Sequence, residues 1–283
     1  RAALAICRQQ GDAFSESSAL SSLGGVLYSL GHYEEVATVA KQGIAVAQQI
    51  GDRENEGRHY NNLAGIALHA LDHEKAIGYY EQALTISEEL NSASGMSVHH
   101  NNLAGAYIGL NQHEQALGHS KTAVSTAQQA NLPYLEALAH YTQGHIYRGQ
   151  KAFEPARQAF EQALAIRQRL GEKRRIFFCH IMLLETLLDL GLLEDAHGHF
   201  EALQAILPEL ESSLPAYARQ MAHFASYQFL AASQQGETAV VSLHKAYDAL
   251  QEKLAGLDEV GQQRLLAAEQ TQALLAAYEA YLT

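Results

Sequence analysis

One five-residue string, Asn-Asn-Leu-Ala-Gly, stands at residues 61–65 and again at 101–105. A chain that repeats itself at a fixed interval of about twenty to fifty residues is built from stacked identical units, so this period is tested first. Sliding the block 51–90 by forty places Leu63 on Leu23, Leu103 and Leu183, with Gln143 as the exception. Ala64 falls on Gly24, Ala104 and Gly144, and Ala76 falls on Val36, Ala116, Ala156 and Ala196. Ala83 falls on Gly43, Ala123 and Ala163, with the larger Leu203 as a departure, and Tyr80 falls on Phe160 and Phe200. A sixth copy, shifted by three residues, survives as Ala239, Leu243 and Ala246.

Within each block apolar and small residues recur at spacings of three and four, the signature of two amphipathic helices. Gly11, Gly51, Asn91, Asn131 and Gly171 follow the second helix of successive units, and Gly31, Asn111 and Gly191 follow the first. These two residue types tolerate the left-handed conformation that ends a helix. Pro155 lies near the start of a second helix, where its missing N–H costs little. The recurring small residues have a packing reason: helices that meet at about 8–10 Å leave no room for bulk at the contact.

The pattern of a large residue, Leu-Gly/Ala, then Ala-x3-aromatic-x2-Ala resembles the tetratricopeptide repeat. In the second unit the matching residues are Tyr60, Leu63, Ala64, Ala76, Tyr80 and Ala83; in the fourth they are His140, Gly144, Tyr147, Ala156, Phe160 and Ala163. The resemblance spans about residues 1–255, with a period of forty instead of thirty-four and no tryptophan. Longer units of this kind are similar to those of kinesin light chains, Pins-type polarity scaffolds and bacterial multidomain regulators, including signal-transduction NTPases of the STAND class. It implies an all-α, right-handed superhelical solenoid of antiparallel helix pairs. The expected units are 11–50, 51–90, 91–130, 131–170, 171–210 and 211–255. Residues 1–10 read as the second helix of a unit whose first half is missing, and 256–283 as one C-terminal capping helix.

Composition narrows the function. A net charge of −12 argues against nucleic acid as the main partner, because phosphate neutralisation needs a basic face. No apolar run reaches the roughly 18 residues that span a bilayer. The two cysteines, Cys7 and Cys179, lie far apart and suit a reducing, cytoplasmic compartment better than a disulfide framework. There is no glycine-rich phosphate loop, nucleophile elbow or zincin helix, so neither catalysis nor a cofactor is expected. Cys179, inside the apolar run 176–183, reads as a buried inert thiol. Fifteen histidines raise the question of metal, but His100, His140 and His180 lead successive units about 10 Å apart and cannot share an ion whose ligands sit at about 2.0–2.1 Å. His197 and His199 point apart at helical spacing, and a turn separates His69 from His73. No metal site is expected. The cluster Arg167, Arg169, Lys173, Arg174 and Arg175 is the one basic patch, read as a solvated turn or a dock for an acidic partner.

In the family the first helices line a concave groove, with the two positions before the conserved leucine and the one two after it facing inward. Those positions are Ser21, Ser22 and Gly25; Asn61, Asn62 and Gly65; Asn101, Asn102 and Gly105; then Tyr141, Thr142 and His145. Later units turn apolar there, with Ile181 and Met182, then Met221 and Ala222. An Asn amide offers both donor and acceptor and can grip a peptide main chain, with Gly65 and Gly105 leaving room for it. The alternative is that the amides are exposed polar residues carried along by duplication. The expected site is therefore Asn61, Asn62, Asn101, Asn102 and Arg58, with Tyr141, His145 and Arg148 supplying specificity. The groove lacks the lysines of the chaperone-tail clamp, which leaves that variant disfavoured. The resulting expectation is a non-catalytic module that binds a protein or peptide, a sensor or scaffold within a larger, bacterial-type regulator. The rivals are homo-oligomerisation through the apolar later repeats and small-molecule sensing.

Overall fold

The computed structural model describes residues 2–282. Every regular element among them is helical. The first nine are α1 (Ala2–Gln10), α2 (Ala13–Ser29), α3 (Tyr33–Ile50), α4 (Arg53–His69), α5 (His73–Glu89), α6 (Ala93–Gly109), α7 (His113–Gln129), α8 (Pro133–Gly149) and α9 (Phe153–Leu170). There follow α10 (Lys173–Asp189), α11 (Leu193–Leu210), a 3-10 turn Glu211–Ser213, α12 (Ala216–Ala232), α13 (Gly236–Ala255), α14 (Glu259–Ala267) and α15 (Glu269–Leu282). The chain divides into two compact units between Gln150 and Lys151.

In the first unit, α2/α3, α4/α5 and α6/α7 form hairpins, and each second helix also packs on the first helix of the next pair. The small positions explain the spacing. Ala64, Ala76, Ala83, Ala104, Ala116 and Ala123 are all fully buried. Gly43 on α3 faces the ring of His59 so closely that a Cβ would lie 2.0 Å from its Nε2. At the helix ends, Gly109 of α6 faces the ring of His73, where a Cβ would lie 2.1 Å away, and Gly149 of α8 faces that of His113, at 2.8 Å. The first residue of a second helix thus tucks over the end of the following unit's first helix, and Tyr33 stacks on His69 there at 3.8 Å.

Helix ends are set locally. The carboxylates of Asp12, Asp52 and Asp72 and the hydroxyl of Ser92 accept hydrogen bonds from backbone N–H groups three residues on, satisfying the open first turn. All the glycines and asparagines expected to stop helices have positive φ, from 50° at Asn91 to 78° at Gly31. Leu71, Lys151 and Gln234 adopt the same conformation without the residue type that favours it.

In the second unit α10/α11 and α12/α13 pair, and one continuous core joins them: Phe177, Ile181, Leu184, Leu187, Leu203, Ala218, Ala225 and Phe229. The C-terminal segment, expected to be a single helix, is two. The chain is extended at Ala268 (φ −67°, ψ 135°), between α14 and α15. Only the second of them packs firmly on α13, through Leu274 and a stack of Tyr278 on Tyr247 at 3.9 Å.

Candidate binding face of the first unit

The first helices of the first unit lie side by side, and α2 approaches α4 more closely than α4 approaches α6. Gly24 permits the first approach: the Asn62 amide nitrogen lies 2.8 Å from where a Cβ on Gly24 would be. Where α4 and α6 stand apart, a depression of about 370 Å³ opens, lined by Ser21, Arg58, Asn61, Asn62, Ser94, Gly95, Val98 and His99. A second hollow of about 160 Å³ shares Arg58, Ser94, Gly95 and His99 and ends on Ile86 and Leu90. Gly95 is required there, since a Cβ would fall 2.4 Å from the Ser87 hydroxyl.

Most of the lining side chains are polar, and the wall is close to neutral. Arg58 is exposed and pairs with Glu54 one turn away at 2.5 Å. Burial lowers the His99 pKa to about 4, so its imidazole is neutral at physiological pH. The depression can therefore offer amide, hydroxyl and guanidinium hydrogen bonds without a strong field of either sign.

Three of the expected residues, Arg58, Asn61 and Asn62, line this depression together. Asn101 and Asn102 do not. Asn101 is 8% exposed with its Oδ1 buried and unpartnered, so it faces the interior instead of a ligand. The Asn102 amide donates to Asn61 Oδ1 at 3.0 Å, a bond from one repeat to the next. The idea of four amides all free to grip a main chain is corrected accordingly: this row of amides partly serves packing between units. Gly65 does not leave room either, because the Tyr28 ring occupies that space, 3.1 Å from a hypothetical Cβ. Gly105 is open. Tyr141, His145 and Arg148 lie further along on α8, partly buried, with Tyr141 and His145 in edge contact at 4.7 Å.

In the second unit the corresponding apolar residues are not a surface. Ile181, Met182 and Ala222 are buried, which removes the exposed greasy row on which the oligomer reading relied. The basic patch also shrinks: buried Arg167 donates to the Arg175 carbonyl and to the Cys179 sulfur. Burial pushes that thiol's pKa up, against the opposing pull of Arg167. Sequence reasoning missed two histidine pairs. His100 faces His119, and His180 faces His199; the shared spacing of nineteen residues, twice, eighty apart, was the available signal. No group of three or more His, Cys, Asp or Glu among the described residues is placed to hold a metal ion. None of the described helices is long and apolar enough to cross a membrane.

Helix pairs with small residues at recurrent contacts and left-handed stops define an α-helical hairpin-repeat solenoid. The tetratricopeptide-repeat family model matches residues 95–169, and solved structures similar to this chain include a tetratricopeptide-repeat sensor and TPR-like repeats. Residues 95–169 thus match the tetratricopeptide repeat, and the fold is that of an all-α tetratricopeptide-repeat solenoid. Comparison with curated proteins finds no match. Among solved structures it is similar to BtubC (BKLC) from P. vanneervenii, at 22% identity and a TM-score of 0.66, covering 74% of this chain and 88% of that one. It is also similar to PH0952 from Pyrococcus horikoshii, a STAND protein with a tetratricopeptide-repeat sensor, at 14% identity and 0.71, covering 86% of this chain and 38% of that one. A Rap protein complexed with Competence and Sporulation Factor matches at 17% and 0.66, covering 97% and 76%. At these identities the likeness carries the fold alone.

Proposed function

We propose that this chain is a non-catalytic binding module that captures a protein or peptide segment on the α2/α4/α6 face. It acts as sensor or scaffold within a larger cytoplasmic regulator of bacterial type. The observation that carries this reading is the polar depression between α4 and α6, with Arg58, Asn61 and Asn62 on one wall and Ser94 and His99 on the other. Donors and acceptors on both walls suit an extended main chain, which needs both. The structural likeness to a STAND repeat sensor and to a Rap protein in complex with Competence and Sporulation Factor supports it.

The test is selection of binders from a displayed peptide library on the intact chain, followed by affinity measurement on Arg58→Ala and Asn62→Ala. Loss of binding without loss of helicity supports the face; selected peptides indifferent to both changes remove it. The size of the depression favours one second reading, capture of a small polar molecule, since ligand pockets begin at about 300 Å³. A thermal-shift screen in which such a molecule stabilises the chain and peptides do not would select that reading.

A further inference from the structure

His100 on α6 and His119 on α7 face each other with their Nδ1 atoms 3.0 Å apart. Eighty residues on, His180 on α10 and His199 on α11 repeat the arrangement at 2.9 Å. In each pair the ring centres are 5.2 Å apart, so the two nitrogens point along the line between the rings. That geometry separates two chemistries. A metal ion bound by both would require the lone pairs to converge on a point off the line, at about 2.0–2.1 Å from each. No third ligand among the described residues stands ready to help. A collinear approach is that of a hydrogen bond, in which one Nδ1 carries a proton and the other accepts it.

The proton count then dictates the response to acid. A neutral pair holds one proton between the facing nitrogens. A first added proton goes to the outer Nε2 of the donor ring and strengthens the bond, because a charged donor is the better one. A second puts N–H against N–H and charge against charge. We propose that the two pairs are acid-released clasps between the helices of their hairpins, closed while one proton is shared and opened when both rings are charged. The surroundings set the threshold. Burial lowers all four pKa values, that of His180 to about 4, while Glu81 on α5 pulls upward on His119 and Asp195 on α11 pulls upward on His199. His99 and Tyr107, both on α6, also adjoin the first pair, Tyr107 stacked on His119 at 5.3 Å. The corresponding positions of the first two full repeats hold Leu20 with Val39 and Tyr60 with Tyr79, which cannot switch in this range.

Backbone hydrogen exchange on the intact chain, corrected for intrinsic rates, tests this between about pH 7 and pH 4.5 in wild type, His119→Gln and His199→Gln. A Gln amide can hold the partner ring and does not titrate. Wild-type α7 and α11 are expected to lose protection on acidification, about tenfold per pH unit for each proton taken up. H119Q should suppress the loss in α7 and leave it in α11; H199Q should do the converse. Equal acid sensitivity of α7 in wild type and H119Q overturns the proposal. Ring nitrogen NMR of the wild type gives a readout independent of the variants: one protonated and one bare Nδ1 per pair at neutral pH. Two protonated Nδ1 atoms, or one equivalent of Zn²⁺ or Cu²⁺ bound per pair, would contradict it.

Discussion

Asn61 and Asn62 of α4 and Ile181 and Met182 of α10 hold the same place in the repeat, yet they have opposite fates. The asparagines are partly exposed on the wall of a depression, while the isoleucine and methionine are buried in the core of the second unit. Repeat position therefore fixes where a residue sits on its helix but not what covers it. In α10 the apolar side chains extend the core shared with α11 and α12. In α4 the amides lie where a gap between neighbouring repeats stays open to solvent. A solenoid can thus turn the same row of positions into core in one region and into a receptor face in another.

Exchanging residue types between the two regions should show this most strongly. Ile181→Asn places an amide with no assured partner where the wild type is fully buried, and should cost about 3 kcal/mol or more in urea unfolding. Loss under about 1 kcal/mol would mean the site is less closed than described. Gly43→Ala drives a methyl into His59 and should cost about 1–3 kcal/mol, a test of how tightly the first unit is packed. Acidification should also weaken the fold. Burial depresses the pKa values of His59, His99, His100, His140, His180 and His199 below the ordinary 6.5. The unfolded chain therefore takes up protons first: the stability contributed by these rings is full above about pH 6.5 and falls as pH drops toward about 4, the value for His99 and His180. Denaturation midpoints that rise on acidification over this window would contradict that sign. The smallest effect belongs to Asn102→Ala, which removes one bond between repeats and should cost about 1 kcal/mol.

The period, the small contacts and most helix stops were legible because they depend on local conformation and on volume, which residue type determines. Leu71, Lys151 and Gln234 were not, since they take left-handed backbone without any preference for it. The break at Ala268 likewise has no glycine or proline to announce it. Half of the amide row was misread for a different reason. Whether Asn102 meets a ligand or Asn61 depends on the spacing between helices of separate units, and no single repeat encodes that distance. The histidine pairs were hidden by reading down the repeats instead of across the hairpin.

The most direct test of the receptor face is the affinity of a library-selected peptide for the intact chain and for Arg58→Ala, measured by fluorescence anisotropy with melting followed in parallel. Arg58 is exposed, and its ion pair is with Glu54 in its own helix, so its removal should leave the fold intact. The account predicts a dissociation constant raised about tenfold or more, as loss of a charged hydrogen bond requires, with unchanged melting. An unchanged dissociation constant would place the partner elsewhere on the chain.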